Sequence, residues 1–134
     1  MITKVGFFRE LEHGDDDGPS LRATIGGAPV ERQDLVVHYL TSAAPLAVSQ
    51  GTTDVLNPDS DEVLPLALRT DGRFVWPSDL AHYVDRYHAA LPADLVDQVL
   101  ERGGEPPELT PDELGRIQAE YFALEAAAAQ EQQE

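Results

Sequence analysis

The apolar residues of this chain change period near Pro77. Before it, short β-branched and aromatic runs are broken by Gly, Pro and Asp; after it, apolar residues recur at helical spacing. Ile2 to Phe8 reads as an opening strand, and His13 to Pro29, rich in Gly, Asp and Pro, as a mobile loop with a short turn around Leu21. Leu35, Val36, Tyr39 and Leu40 give the buried stripe of a helix over 31–40, with Glu31 and Asp34 in its first turn. Pro45 to Ser49 and Thr52 to Leu56 are β-prone runs around Gln50-Gly51, which predicts a hairpin.

The strongest local signal lies at 64–76, where Leu64–Thr70 and Arg73–Trp76 flank Asp71-Gly72, a dipeptide suited to a two-residue type I′ turn. Such a turn sets Thr70 opposite Arg73, Leu68 opposite Val75, Arg69 opposite Phe74 and Ala67 opposite Trp76. Pro77 then ends the strand, Ser78 is placed to cap a helix over 78–89, and Leu80, Tyr83, Val84 and Tyr87 form its core face. Leu95, Val96, Val99 and Leu100 mark a helix over 92–102, with Gly103 suited to end it. Thr110-Pro111-Asp112-Glu113 is a capping box with proline at N1, opening a helix over 111–127 with Leu114, Ile117, Tyr121 and Leu124 inward.

Strands and helices do not alternate as βαβ units would require, and no internal repeat is visible. The expected fold is α+β: a small, mostly antiparallel sheet around the hairpin 64–76, packed against those four helices. Residues 1–125 read as a single domain, and 126–134, rich in Ala and Gln without an apolar stripe, as a fraying or projecting tail.

Composition narrows the chemistry. The 134 residues are 42% hydrophobic, enough for a core, and include no cysteine, which removes disulfides, thiolate metal sites and thiol catalysis. The segment lacks both a bilayer-spanning apolar run and a basic-then-apolar leader, so a cytoplasmic protein is expected. With Lys4 as the only lysine, eight arginines and one asparagine, the composition resembles that of a high-G+C bacterial genome. Nine basic against 25 acidic residues give a formal charge of −16, which disfavours nucleic acid and anionic membranes as partners. Residues 101–134 alone carry nine acidic and two basic side chains, and Asp15, Asp16 and Asp17 are consecutive.

No motif carries a recognisable reaction. His82 and His88 are six apart, about 120° around a helix, and miss the i, i+4 spacing of helical zinc ligands. Asn57, Asp59 and Asp61 match the opening of an EF-hand loop, but Glu62 and Leu68 stand where its glycine and bidentate glutamate belong. The acidic run His13 to Gly18 reads as a solvated loop. No serine sits in a Gly-x-Ser-x-Gly frame, and Gly26-Gly27 lacks the rest of a phosphate loop. No catalytic residue, metal or cofactor is therefore expected. The residues expected to form a ligand or partner surface are Trp76, Tyr83 and Tyr87, with His82, Arg69 and Arg86 as polar neighbours.

The run from Leu68 to His88, followed by Leu91-Pro92, resembles a group of small uncharacterised acidic proteins of high-G+C bacteria, which share the Thr-Asp-Gly turn, the Trp-Pro lead-in to a helix and the Tyr-Val-x-x-Tyr stripe. The resemblance covers about half the chain and implies a hairpin followed by a helix, with no activity attached. The leading functional expectation is a non-enzymatic interaction module, of immunity or antitoxin type, for a basic protein partner. The alternatives are a small-molecule-binding or enzymatic accessory protein with an aromatic pocket at Trp76, Tyr83 and Tyr87, and a homodimer formed through the terminal helix at Phe122.

Overall fold

In the computed structural model, which describes residues 2–28 and 32–132, the chain forms a four-stranded sheet with helices on both faces. The elements are β1 (Thr3–Lys4), α1 (Leu21–Thr24), α2 (Gln33–Ser42), β2 (Ala44–Thr52), β3 (Leu64–Thr70), β4 (Phe74–Pro77), α3 (Leu80–Tyr87), α4 (Ala93–Glu101) and α5 (Pro111–Gln132). Strand order is β1-β4-β3-β2, with β1 parallel to β4 and the other pairs antiparallel. The class is α+β, as expected. The expected positions Glu31, Pro29 and the last two residues of the tail lie outside the described residues.

The sequence of β4 explains the layering. All four residues of Phe-Val-Trp-Pro are buried, because β4 is an interior strand covered on both faces. Phe74 and Trp76 join Val36, Tyr39, Leu40, Leu80, Tyr83, Val84, Leu95 and Val99 in the larger core, formed with α2, α3 and α4. Val75 joins Ile2, Phe7, Leu46 and Tyr121 in a smaller core, against which Leu114 and Ile117 of α5 pack. Alternation along one strand thus feeds two cores.

The hairpin forms, but its register is two residues away from the expected one: Thr70 faces Val75, Arg69 faces Trp76 and Leu68 faces Pro77. Positive φ occurs at Gly72 but not at Asp71, so the turn is not type I′. Asp71 instead turns the chain with its side chain, Oδ1 accepting the N–H of Arg73 at 2.9 Å and of Phe74 at 2.7 Å. Thr70 Oγ1 accepts the Gly72 N–H and donates to the Phe74 carbonyl. A shift of two keeps every side chain on its expected face, which is why the core residues survive the error.

Three further expectations are corrected. The hairpin around Gln50-Gly51 is one continuous strand, β2, paired with β3 and irregular between Pro45 and Ala47 and between Ser49 and Thr52. Residues after Thr52 leave the sheet because Asp54 and Val55 bond to α3. Ser78 does not cap α3: its hydroxyl accepts the Ala67 N–H and donates to the Pro65 carbonyl, extending the pairing with β3, and the helix begins at Leu80. The opening strand is confined to Thr3–Lys4, since Gly6 has φ +83° and a Cβ there would meet Leu80 at 3.0 Å.

The remaining boundaries agree within a few residues, and the capping box forms in both directions, Glu113 N–H to Thr110 Oγ1 at 3.1 Å and Thr110 N–H to Glu113 Oε1 at 3.2 Å. α5 continues through the alanines to Gln132, beyond the expected limit of 127. Lys4 ties α5 to the N-terminal loop: its ammonium donates to Asp15 at 3.0 Å and to Glu125, and lies 4.6 Å from the centre of the Phe7 ring.

Replacing Asp71 with Ala should destabilise the protein by about 3 kcal/mol, because it leaves two backbone donors and the partners of Oδ2 unpaired in a buried turn. Thr110→Ala should cost about 1 kcal/mol through the lost cap. Urea unfolding of both variants checks the ranking; equal midpoints would contradict the role given to Asp71.

Candidate functional site

Two of the polar side chains expected to be functional, Arg69 of β3 and His82 of α3, meet beside Thr41 in the last turn of α2. Arg69 projects from β3 on the same face as Trp76, its cross-strand neighbour. Both reach the C-terminal end of α2: Trp76 Nε1 donates to the Leu40 carbonyl at 3.0 Å and Arg69 Nη1 to the carbonyl of Ala43, the residue that caps the helix, at 2.7 Å. α2 has no basic residue in its own last turn, so the sheet supplies a cation to the negative end of that helix.

Asp54 organises the second edge. Its side chain is 7% exposed, and Oδ2 accepts the Tyr87 hydroxyl at 2.7 Å and contacts His82 Nε2 at 2.8 Å, while Oδ1 accepts the Leu56 N–H at 2.8 Å. Burial works against its charge, yet the donors from His82, Tyr87 and Leu56 outweigh it and hold the Asp54 pKa below the ordinary aspartate range. The Tyr83 hydroxyl accepts the Val55 N–H at 3.1 Å, and burial pushes its pKa up to about 12. The loop between β2 and β3 is thereby fastened to α3 at two adjacent residues.

A cavity of about 270 Å³ lies between these elements, lined by Thr41, Leu64, Pro65, Arg69, Ser78, Asp79, Ala81 and His82. Its polar groups are under-satisfied. Arg69 Nε and both carboxylate oxygens of Asp79 are buried without a hydrogen-bond partner among the described residues. His13 Nε2 lies 2.9 Å from Asp79 Oδ2, but the contact lacks hydrogen-bond alignment.

Of the six expected site residues, the structure brings Arg69 and His82 together on this cavity. Trp76 and Tyr83 have no exposed surface and belong to the core, which corrects the expectation that they wall an aromatic pocket; their size and position against α2 and β2–β3 leave them no open face. Tyr87 is half-buried on Asp54, and Arg86 is an exposed side chain 4.0 Å from Glu62. Asp54, Asp79 and His13 were not among the expected site residues. Nothing in the local pattern distinguishes them from the other acidic and loop residues, because their burial depends on long-range packing.

A second feature is electrostatic. Asp94, Asp97 and Glu101 share one face of α4 at i, i+3 and i+7, and Glu105, Glu108 and Asp112 follow; all six are exposed. Arg73 lies 3.9 Å from Asp94, His38 lies 3.1 Å from Glu105, and Arg102 bonds the Glu105 carbonyl, leaving carboxylates in excess. Phe122 on α5 is 51% exposed, so the residue expected at a dimer contact is at the surface. No three His, Asp or Glu among the described residues are grouped to hold a metal ion, and no described helix is long and apolar enough to cross a membrane.

No family model matches the chain, and no curated protein or solved structure matches it.

Asp54→Asn should cost about 2 kcal/mol at neutral pH by weakening the charged hydrogen bonds to His82 and Tyr87. Because the folded pKa of Asp54 is depressed, the stabilisation is complete above the unfolded aspartate value of 3.8 and is lost as pH falls below it. The gap in urea midpoint between wild type and variant should therefore narrow in acid. A gap independent of pH would show that the carboxylate charge contributes nothing.

Proposed function

We propose that this protein is a non-enzymatic interaction module whose partner is a basic protein. The observation that carries the reading is the row of exposed carboxylates from Asp94 to Asp112, on a chain with a formal charge of −16. A rigid helix followed by a proline-stiffened connector, Glu105-Pro106-Pro107-Glu108, holds these charges at fixed spacing, so little side-chain and backbone order has to be gained on docking. Their field accelerates encounter with a cationic surface and disfavours nucleic acids and anionic lipids.

The recruiting charges lie away from the cores, so they can be removed without touching the fold. The variant Asp97→Asn, Glu101→Gln, Glu108→Gln, Asp112→Asn should unfold at a midpoint near that of wild type while its association rate with a captured basic partner falls roughly tenfold at low salt. Raising ionic strength should erase the difference, as screening predicts. Capture of the same proteins at the same rate by wild type and variant would eliminate this face as the docking surface.

A further inference from the structure

The cavity beside α3 holds a half-buried cation with unspent hydrogen-bonding capacity. Arg69 gives Nη1 to the Ala43 carbonyl at 2.7 Å, while its buried Nε has no partner among the described residues. Nε and Nη2 lie along the other edge of the guanidinium, and such a planar pair of donors fits a carboxylate. No described residue places a carboxylate on that edge, although the chain has 25 acidic residues. Nε is sealed from bulk water, so the hydrogen bond it lacks weighs against folding.

The rest of the wall leaves Arg69 as the charge that a ligand meets. Asp79 also lines the cavity, but its side chain has no accessible surface, and its Oδ2 lies 2.9 Å from His13 Nε2 of the N-terminal loop. Asp54 likewise faces His82 Nε2 at 2.8 Å. The hydroxyls are spent: Thr41 Oγ1 donates to the Val37 carbonyl and Ser78 Oγ to the Pro65 carbonyl. A single guanidinium matches a monoanion, whereas a dianion would bring uncompensated negative charge to a chain at −16. Leu64, Pro65 and Ala81 supply apolar wall, which a phosphate or a halide would leave unused. The cavity volume of about 270 Å³ lies below the roughly 300 Å³ at which sites for drug-sized ligands begin, which suits a small solute.

We propose that this cavity binds a short-chain aliphatic monocarboxylate, its carboxylate on the Nε–Nη2 edge of Arg69 and its alkyl chain against Leu64, Pro65 and Ala81. The site is separate from the acidic face on α4, and each stands or falls without the other.

The experiment titrates the full chain with propionate and butyrate, and in parallel with 1-propanol, chloride and inorganic phosphate, the salts at matched ionic strength, following the Arg69 Nε–H and the backbone amides by NMR. The carboxylates should produce saturable shifts at Arg69, Ser78 and His82, and the alcohol, chloride and phosphate should bind at least about tenfold more weakly. Equal binding of carboxylate and chloride or phosphate would mean an adventitious ion only; that, or no saturable carboxylate shift up to about 50 mM, would overturn the proposal. Two variants give independent readings. Arg69→Lys keeps a charge near the end of α2 but lacks the two-donor edge, and Thr41→Phe brings a ring to the cavity from an exposed position on α2. Each should weaken butyrate binding at least about tenfold, with Thr41→Phe unfolding in urea at a midpoint near that of wild type. Wild-type butyrate affinity in Thr41→Phe, or in a folded Arg69→Lys, would place the carboxylate elsewhere, and the proposal would fail.

Discussion

The carboxylate of Asp71 is the constraint on which the larger core depends. One oxygen turns the chain by accepting the N–H groups of Arg73 and Phe74, and the other receives the Tyr39 hydroxyl and the Gln98 amide, each at 2.6 Å. Residues 27 and 32 positions away, on α4 and α2, are thus fixed to the tip of the β3–β4 hairpin. Tyr39 then stacks on Trp76 with ring centres 6.1 Å apart, and Trp76 bonds the end of α2. Burial, followed by the bond to Asp71, pushes the Tyr39 pKa up, so the phenol stays a donor throughout the physiological range.

This arrangement also marks the limit of what local sequence can specify. Asp-Gly correctly announces a turn, yet a free aspartate side chain and one recruited by its own backbone look the same in sequence, and the second choice slides the register by two. Apolar periodicity located α2 to α5 because each buries a stripe against a broad surface, and the capping box located the start of α5 because its two bonds are local. The false hairpin at Gln50-Gly51 arose because a glycine in a strand and a glycine in a turn give one signal; only β3, which runs antiparallel beside it, keeps that segment extended.

The candidate site was legible in part for the same reason. Arg69 and His82 stood out as polar residues beside an apolar stripe, and both line the cavity. The aromatic residues attracted attention through their polar tips, but Trp76 and Tyr83 spend those tips inside the molecule, on Leu40 and Val55. Asp54 and Asp79 are two acids among 25, and only the three-dimensional arrangement separates a buried carboxylate from a solvated one.

The pairing of Lys4 with Asp15 and Glu125 has a chemical corollary. Lys4 is the only lysine in the sequence, and although burial opposes its charge, the two carboxylates raise its pKa and keep it protonated. A protonated amine is not a nucleophile, and this one is held between loop and helix over the Phe7 ring. For this amine to react with an electrophile, it must first leave both carboxylates and so loosen the tie between the N-terminal loop and α5.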